Sequence, residues 1–133
     1  MKINKSILRE TIRFSRIKNT KDAHPEYDNF SHFSFIVWNG KILGWATNKK
    51  SGCSYKHLGY PEISKTHAEY EVIRKYKNWA TIAESSIINI RLNKQNHTKL
   101  SAPCKACKRF MSVNGISTVY YSIEGDNFKR IEL

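Results

Sequence analysis

Two short motifs in this sequence combine residue types that bind metals or transfer protons. One is His67-x-Glu69, and the other is Pro103-Cys104-x-x-Cys107. An imidazole and two thiolates suit tetrahedral zinc, and three protein ligands leave the fourth position open for water, as in catalytic zinc sites. The motifs therefore predict a catalytic zinc ion held by His67, Cys104 and Cys107, with the carboxyl group of Glu69 beside it.

Each motif taken alone has another interpretation. A Cys-x-x-Cys segment at the start of a helix is also typical of thioredoxin-like redox proteins. Thr66 and Glu69 fit a capping box, in which the carboxylate of Glu69 bonds to the backbone amide of Thr66. A single histidine such as His67 is more often packed or solvated than bound to a metal. The joint occurrence of both motifs, each in the first turn of a predicted helix, favours the zinc site.

Apolar periodicity and turn residues predict the elements that hold these motifs. Helices are predicted at residues 2–18 and 66–80 and from residue 103 to a terminating Gly115, and strands at 32–38, 41–47, 86–92, 116–123 and 128–132. The Asn39-Gly40 pair between the first two strands is a strong hairpin signal. Only residues 124–127 separate the last two strands, so these strands must pair antiparallel.

The alternation of helices with strands predicts one α/β domain over residues 1–133, with a mixed five-stranded sheet and helices on both faces. No apolar run approaches the length of a transmembrane helix, so no membrane partner is predicted. The N-terminus lacks the apolar region of a signal peptide. Of the three cysteines, two share one Cys-x-x-Cys motif, which indicates metal or redox chemistry in a reducing compartment rather than a disulfide framework. A cytoplasmic protein is therefore expected.

The two motifs, in this order and each at a helix start, resemble those of the zinc-dependent nucleobase deaminases, the cytidine and deoxycytidylate deaminase-like superfamily. The resemblance extends from the hairpin near residue 31 to residue 123 and includes the strand at 88–92 that follows the first motif. It implies the three-layer cytidine deaminase-like fold, a zinc cofactor and a nucleoside or nucleotide substrate.

The resemblance also implies roles for individual residues. His67, Cys104 and Cys107 would bind zinc, which makes hydroxide available at neutral pH. Glu69, which is not a ligand, would transfer protons between the water, the ring nitrogen and the departing amine. The residues that would line the substrate pocket, the first through its amide and the others mainly through backbone groups, are Asn48, Ala68 and Ser101.

The predicted reaction is the hydrolytic deamination of cytosine to uracil in a nucleoside or nucleotide. The sequence features do not agree on one branch of the superfamily. A histidine in the first motif resembles the deoxycytidylate, tRNA and polynucleotide branches, whereas the tight last hairpin resembles the free-cytidine branch. One alternative is therefore the same chemistry on cytosine or adenine in single-stranded DNA or RNA. Another is a non-enzymatic, zinc-stabilised module that binds nucleic acid, but a structural zinc site has no use for a carboxylate such as Glu69.

Positive charge is concentrated in two segments of the chain, whose net charge is +12. Residues 1–21 include seven basic residues and one acidic residue, and residues 85–123 include six basic residues and no acidic ones. This distribution predicts a surface for phosphates or single-stranded nucleic acid, formed by Arg9, Arg13, Arg16, Arg91, Lys94 and Lys99. The alternative is codon bias, because lysine, asparagine and isoleucine account for 42 of the 133 residues. A second copy of the chain is a further candidate partner.

Overall fold

The computed structural model describes residues 3–21, 30–48, 67–76 and 82–133. Its helices and strands, in chain order, are α1 (Lys5–Lys21), β1 (Phe30–Trp38), β2 (Lys41–Thr47), α2 (Ala68–Tyr76), β3 (Ser86–Asn93), β4 (Thr98–Lys99), α3 (Lys105–Val113), β5 (Thr118–Ile123) and β6 (Asn127–Glu132). Short 3₁₀ turns at Ile82–Glu84 and Glu124–Asp126 precede β3 and β6.

The predicted helices and strands are all present, with shifted ends. Helix α1 begins and ends three residues later than the predicted 2–18. Thr66 and residues 77–80, at the ends of the second predicted helix, lie outside the described residues. Within the described part of the chain, no helix combines the length and the apolar character needed to cross a membrane.

The strands form one mixed sheet in the order β2-β1-β3-β5-β6. Strands β3 and β5 are parallel, and the other pairs are antiparallel, including the predicted β5–β6 hairpin. The five predicted strands are accompanied by a sixth, because β4 pairs with the end of β3 through Arg91–Lys99 and Leu92–Thr98. This short strand lies between the predicted strand at 86–92 and the helix predicted from residue 103, where no strand was predicted.

Side chains of the sheet alternate between two apolar clusters, one on each face. On one face, Phe33, Phe35 and Ile90 pack against α1. On the other face, Ile36 and Ile87 pack against α2 and α3. The predicted three-layer arrangement with helices on both faces is therefore confirmed.

The two predicted turn signals, Asn39-Gly40 and Gly115, lie where the chain turns. Asn39 and Gly40 have φ angles of 50° and 75° between β1 and β2, as a two-residue type I′ hairpin turn requires. Gly115 follows α3 with a φ of 86°, a conformation that favours glycine. A Cβ atom added at Gly115 would also lie 2.8 Å from the Cβ of Ala83, so glycine is needed for space as well.

Candidate active site

The starts of α2 and α3 bring the two sequence motifs together. The carbonyl oxygen of His67 accepts the N–H of Glu71 at 3.1 Å, and that of Cys104 accepts the N–H of Lys108 at 2.9 Å, so each residue precedes the first turn of its helix. Cys107 lies in the first turn of α3 and is buried. His67 therefore meets Cys104 and Cys107, although 37 and 40 positions separate them in the sequence.

The three side chains are spaced like the ligands of one metal ion. Nδ1 of His67 lies 3.1 Å from Sγ of Cys107 and 3.5 Å from Sγ of Cys104. All three ligand atoms lie within 4.8 Å of one another. A tetrahedral zinc ion with ordinary Zn–N and Zn–S bonds sets its ligand atoms about 3.5–3.8 Å apart. The cluster fits zinc in both donor chemistry and spacing.

The protonation of Cys104 suits a metal, because zinc binds thiolates rather than thiols. A hydrogen bond from the thiol of Cys107, with others from the His67 ring and the Cys107 backbone amide, lowers the pKa of Cys104 to about 4. The hydrogen bond to Cys104 in turn raises the pKa of His67. Both cysteines are free of disulfide bonds.

Glu69 lies in the first turn of α2 and is only 3% exposed. Burial raises the pKa of its carboxyl group. Nδ2 of Asn89, on β3, donates a hydrogen bond to Oε2 of Glu69 at 3.0 Å. The hydroxyl group of Ser34, on β1, donates to Oδ1 of Asn89 at 2.7 Å, which leaves the amide nitrogen facing Glu69.

Asn89 and Ser34 were not among the predicted site residues. The available signal was the polar residue Asn89 between the two apolar residues Ile88 and Ile90 of a predicted buried strand. Its partner Ser34 is its neighbour only through the pairing of β1 with β3. The alternative contact of Glu69 with Thr66 involves a residue outside the described part of the chain.

The predicted pocket-lining residues lie at the start of α2, after β2 and before α3. Ala68, the first residue of α2, is buried next to His67. Asn48 follows β2, and its Oδ1 accepts the backbone N–H of His32 at 3.3 Å. Ser101 is buried, and its N–H donates to the carbonyl oxygen of Ser122 at 3.0 Å. Contact of any of these residues with a substrate stays a prediction.

The basic residues of α1 lie on the other face of the sheet from the His-Cys-Cys cluster. Arg9 and Arg13 are exposed there. Arg16 instead forms a two-pronged ion pair with Asp126, at 3.0 and 2.6 Å, and its Nε donates to the carbonyl oxygen of Asn96 at 3.0 Å. The arginines of α1 predicted to bind phosphates therefore do not all face solvent in the same way.

In the second basic segment, residues 85–123, some basic side chains also contact other parts of the protein and others are exposed. Nζ of Lys99 lies 3.4 Å from a carboxylate oxygen of Glu124, and Nη1 of Arg91 donates to the carbonyl oxygen of Leu100 at 3.5 Å. Lys94 is exposed on the turn after β3. Binding of phosphate by these residues stays a prediction.

Comparison with solved structures identifies proteins of the same fold. The dCMP deaminase from the cyanophage S-TIM5, in its apo form, matches with a TM-score of 0.60 and 20% identity over 93% of this chain and 88% of that chain. The same enzyme in complex with dCMP and dUMP matches with a TM-score of 0.57 and 17% identity, over 90% and 83% of the two chains. The cytidine deaminase from Burkholderia pseudomallei matches with a TM-score of 0.65 and 19% identity, over 98% and 93%.

No protein-family model matches the chain, and no curated protein matches it by sequence. The structural likeness establishes the fold: this chain has the cytidine deaminase-like fold that the two motifs predicted. Its His-Cys-Cys cluster has a set of ligand atoms that could hold a zinc ion.

Proposed function

We propose that this protein is a zinc-dependent hydrolase that deaminates cytosine to uracil in a nucleoside or nucleotide. The observation that carries the proposal is the convergence of His67, Cys104 and Cys107 beside the buried carboxyl group of Glu69. The proteins of similar fold described above, a dCMP deaminase and a cytidine deaminase, support the same reaction type.

The metal would be held by His67 Nδ1 and by the sulfur atoms of Cys104 and Cys107. Zinc, when bound, makes hydroxide available at neutral pH by lowering the pKa of water. Three protein ligands rather than four are typical of a catalytic site. The three ligands found among the described residues and the neighbouring Glu69 argue against a purely structural zinc module.

Glu69 would transfer the protons of the reaction. Its buried carboxylate would take one proton from the attacking water and deliver it to the ring nitrogen, and would then transfer the remaining proton of the added hydroxyl group to the departing amine. Water and an exocyclic amine become a carbonyl group and ammonia. Asn89 would hold the carboxyl group in place through the 3.0 Å hydrogen bond between the two side chains.

Mass spectrometry of candidate substrates tests the proposal directly. The purified protein, with its zinc content measured by elemental analysis, is incubated with cytidine, deoxycytidine, dCMP, adenosine, and single-stranded DNA and RNA. We expect replacement of the amine by oxygen in at least one cytosine nucleoside or nucleotide. Protein that contains about one zinc ion per chain yet converts none of them would contradict the proposal.

Glu69→Gln is the matched control for this experiment. The glutamine side chain keeps the size of the glutamate but cannot accept and release the proton. We expect it to retain zinc and the melting temperature, and to lose about 10²- to 10⁴-fold in turnover. A Glu69→Gln protein as active as the wild type would contradict the role of Glu69.

A further inference from the structure

Among the described residues, His32 carries a buried ring nitrogen atom that forms no hydrogen bond. Within the described residues, its Nε2 is the one buried side-chain nitrogen or oxygen atom that has no hydrogen-bond partner. Buried polar atoms in folded proteins nearly always have partners, because leaving one unpaired costs free energy. The orphaned nitrogen therefore indicates a partner from outside the chain.

His32 lies on the same face of the sheet as the His-Cys-Cys cluster. Phe33 and Phe35 point from β1 into the apolar cluster under α1, so their neighbours His32 and Ser34 point to the opposite face. Ser34 confirms this direction through its hydrogen bond to Asn89, which in turn contacts Glu69.

The surroundings of His32 place it next to the candidate active site. In the register of the sheet it pairs with Arg91 of β3, and its backbone N–H donates to Oδ1 of Asn48. Burial, and then the charges of Arg91 and His67, lower the pKa of His32 to about 4, so the ring is neutral at pH 7. A neutral imidazole can either donate or accept a hydrogen bond through Nε2, depending on its tautomer.

The distance from Glu69 suggests which part of a substrate reaches His32. Ser34, whose partner Asn89 contacts Glu69, is two residues from His32 along β1, or about 6.5 Å. In cytidine the reacting amine and the sugar are attached at opposite positions of the pyrimidine ring. A base with its amine at Glu69 therefore directs its sugar away from the reacting atoms. The next side chain of β1 on this face of the sheet, beyond Ser34, is that of His32.

We propose that His32 is a substrate-binding residue whose Nε2 forms a hydrogen bond with the 2′- or 3′-hydroxyl group of the sugar. The inference rests on the proposed function, since it assumes a nucleoside in this site. A hydroxyl group both donates and accepts, so it satisfies Nε2 in either tautomer. Together with Asn48, His32 would select a base that carries a sugar over a free base.

His32→Phe tests the proposal, because phenylalanine fills a similar volume without the nitrogen. We expect kcat/KM for cytidine to fall about threefold to tenfold, the effect of one neutral hydrogen bond, mainly through KM. His32→Gln, which can place an amide near the position of Nε2, should recover part of the loss. The melting temperature of His32→Phe should equal or exceed that of the wild type, because the unpaired nitrogen is gone.

Sugar analogues identify the contact. Cytidine, 2′-deoxycytidine and 2′,3′-dideoxycytidine are compared, each as the nucleoside and as its 5′-monophosphate. The difference between wild type and His32→Phe should disappear at the analogue that lacks the bonded hydroxyl group. His97→Phe is the matched control, since His97 is an exposed histidine on the turn after β3, and it should leave all values unchanged.

Two results would overturn the inference. One is an unchanged kcat/KM for cytidine in His32→Phe, which would mean that water alone satisfies the nitrogen. The other is an equal loss on 2′,3′-dideoxycytidine, which would place the contact on the base or make the effect structural.

Calorimetric binding of cytidine and uridine separates failure of the inference from failure of the proposed function. A wild type that binds but does not deaminate would refute the reaction, and the affinity of His32→Phe would then decide the inference. A wild type that does neither would refute both.

Discussion

The carboxyl group of Glu69 is held by side chains from two strands that are distant in the sequence. Asn89 donates to the carboxylate, and Ser34 donates to the oxygen of the same amide. An asparagine side chain can rotate to exchange its oxygen and nitrogen, and the Ser34 hydroxyl group favours one of the two orientations. In the proposed reaction, Asn89 would therefore be a positioning residue, which acts through Glu69.

We predict that Asn89→Leu lowers kcat much more than it changes KM. The substitution removes the bond that orients Glu69 while keeping a similar volume, and displacement of a catalytic group by about 1 Å can cost about 10²-fold in rate. It also leaves Glu69 and Ser34 buried without this partner, which should reduce the free energy of unfolding by about 1–3 kcal/mol. Steady-state kinetics and urea denaturation measure the two effects separately.

Ser34→Ala is the control for this prediction. It keeps the bond between Asn89 and Glu69 but removes the group that fixes the amide, so its effect on kcat should be smaller than that of Asn89→Leu. Unchanged kcat in Asn89→Leu, with the expected loss of stability, would show that Asn89 has only a structural role.

At the scale of the elements, a close contact sets the position of α2 over the hairpin. A Cβ atom added at Gly44, on β2, would lie 1.7 Å from the hydroxyl oxygen of Tyr76, on α2. Only glycine lets the ring of Tyr76 lie this close to the strand. Tyr76 is the last residue of α2, the helix that begins with Ala68 and Glu69.

We predict that Gly44→Ala destabilises the protein by about 1–3 kcal/mol, because the ring of Tyr76 must move to make room. The cost should be much smaller when Tyr76 is already replaced by alanine. A double-mutant cycle of the two substitutions, measured by chemical denaturation, gives the coupling energy. Additive effects would mean that the ring does not constrain the strand.

The sequence predicted the long elements because their signals are local. Apolar periodicity located the strands, and Asn39-Gly40 located the first hairpin. Strand β4 was not predicted, because two residues carry no periodic signal and pair only through the turn after β3. The motifs likewise predicted the convergence of His67, Cys104 and Cys107. The importance of Asn89 and His32 depends on which strands are neighbours, and the sequence alone does not specify that register.

At the scale of the whole molecule, the sheet separates helix α1 from the His-Cys-Cys cluster. Helix α1 packs on the face opposite α2 and α3, so its cations do not line the His-Cys-Cys cluster. Helix α1 also forms hydrogen bonds with the turn after β3. Nδ2 of Asn19 donates to Oδ1 of Asn96 at 2.6 Å, and Nε of Arg16 donates to the backbone carbonyl oxygen of Asn96. Arg16 thus contributes to holding α1 in place, whereas Arg9 and Arg13 face solvent.

We predict that replacing Arg9 and Arg13 together by glutamine leaves kcat/KM for a free nucleoside or nucleotide unchanged, because these residues lie on the far face. Fluorescence anisotropy with a labelled single-stranded oligonucleotide tests the polynucleotide alternative in the same variant. If both arginines contact phosphates, their loss would make the slope of log K for oligonucleotide binding against log salt concentration less negative by about 1.4.

Arg16→Gln is the contrasting variant. It should reduce stability slightly, by about 0.2–1 kcal/mol, through the loss of a partly exposed ion pair with Asp126.

A fall in the deamination rate of a free nucleoside in the Arg9 and Arg13 variant would contradict the assignment of α1 to the far face.

The chain connectivity of the three ligands also affects the kinetics of folding. The β1–β2 and β5–β6 hairpins join residues that are close in sequence, and local contacts of this kind form quickly. The ligand cluster joins residues 37 and 40 positions apart and exists only once α2 and α3 have packed side by side on the sheet. A metal ion bound by all three residues stabilises contacts that form late, so it slows unfolding far more than it accelerates refolding. The ion would therefore set the lifetime of the folded state rather than the rate at which that state forms.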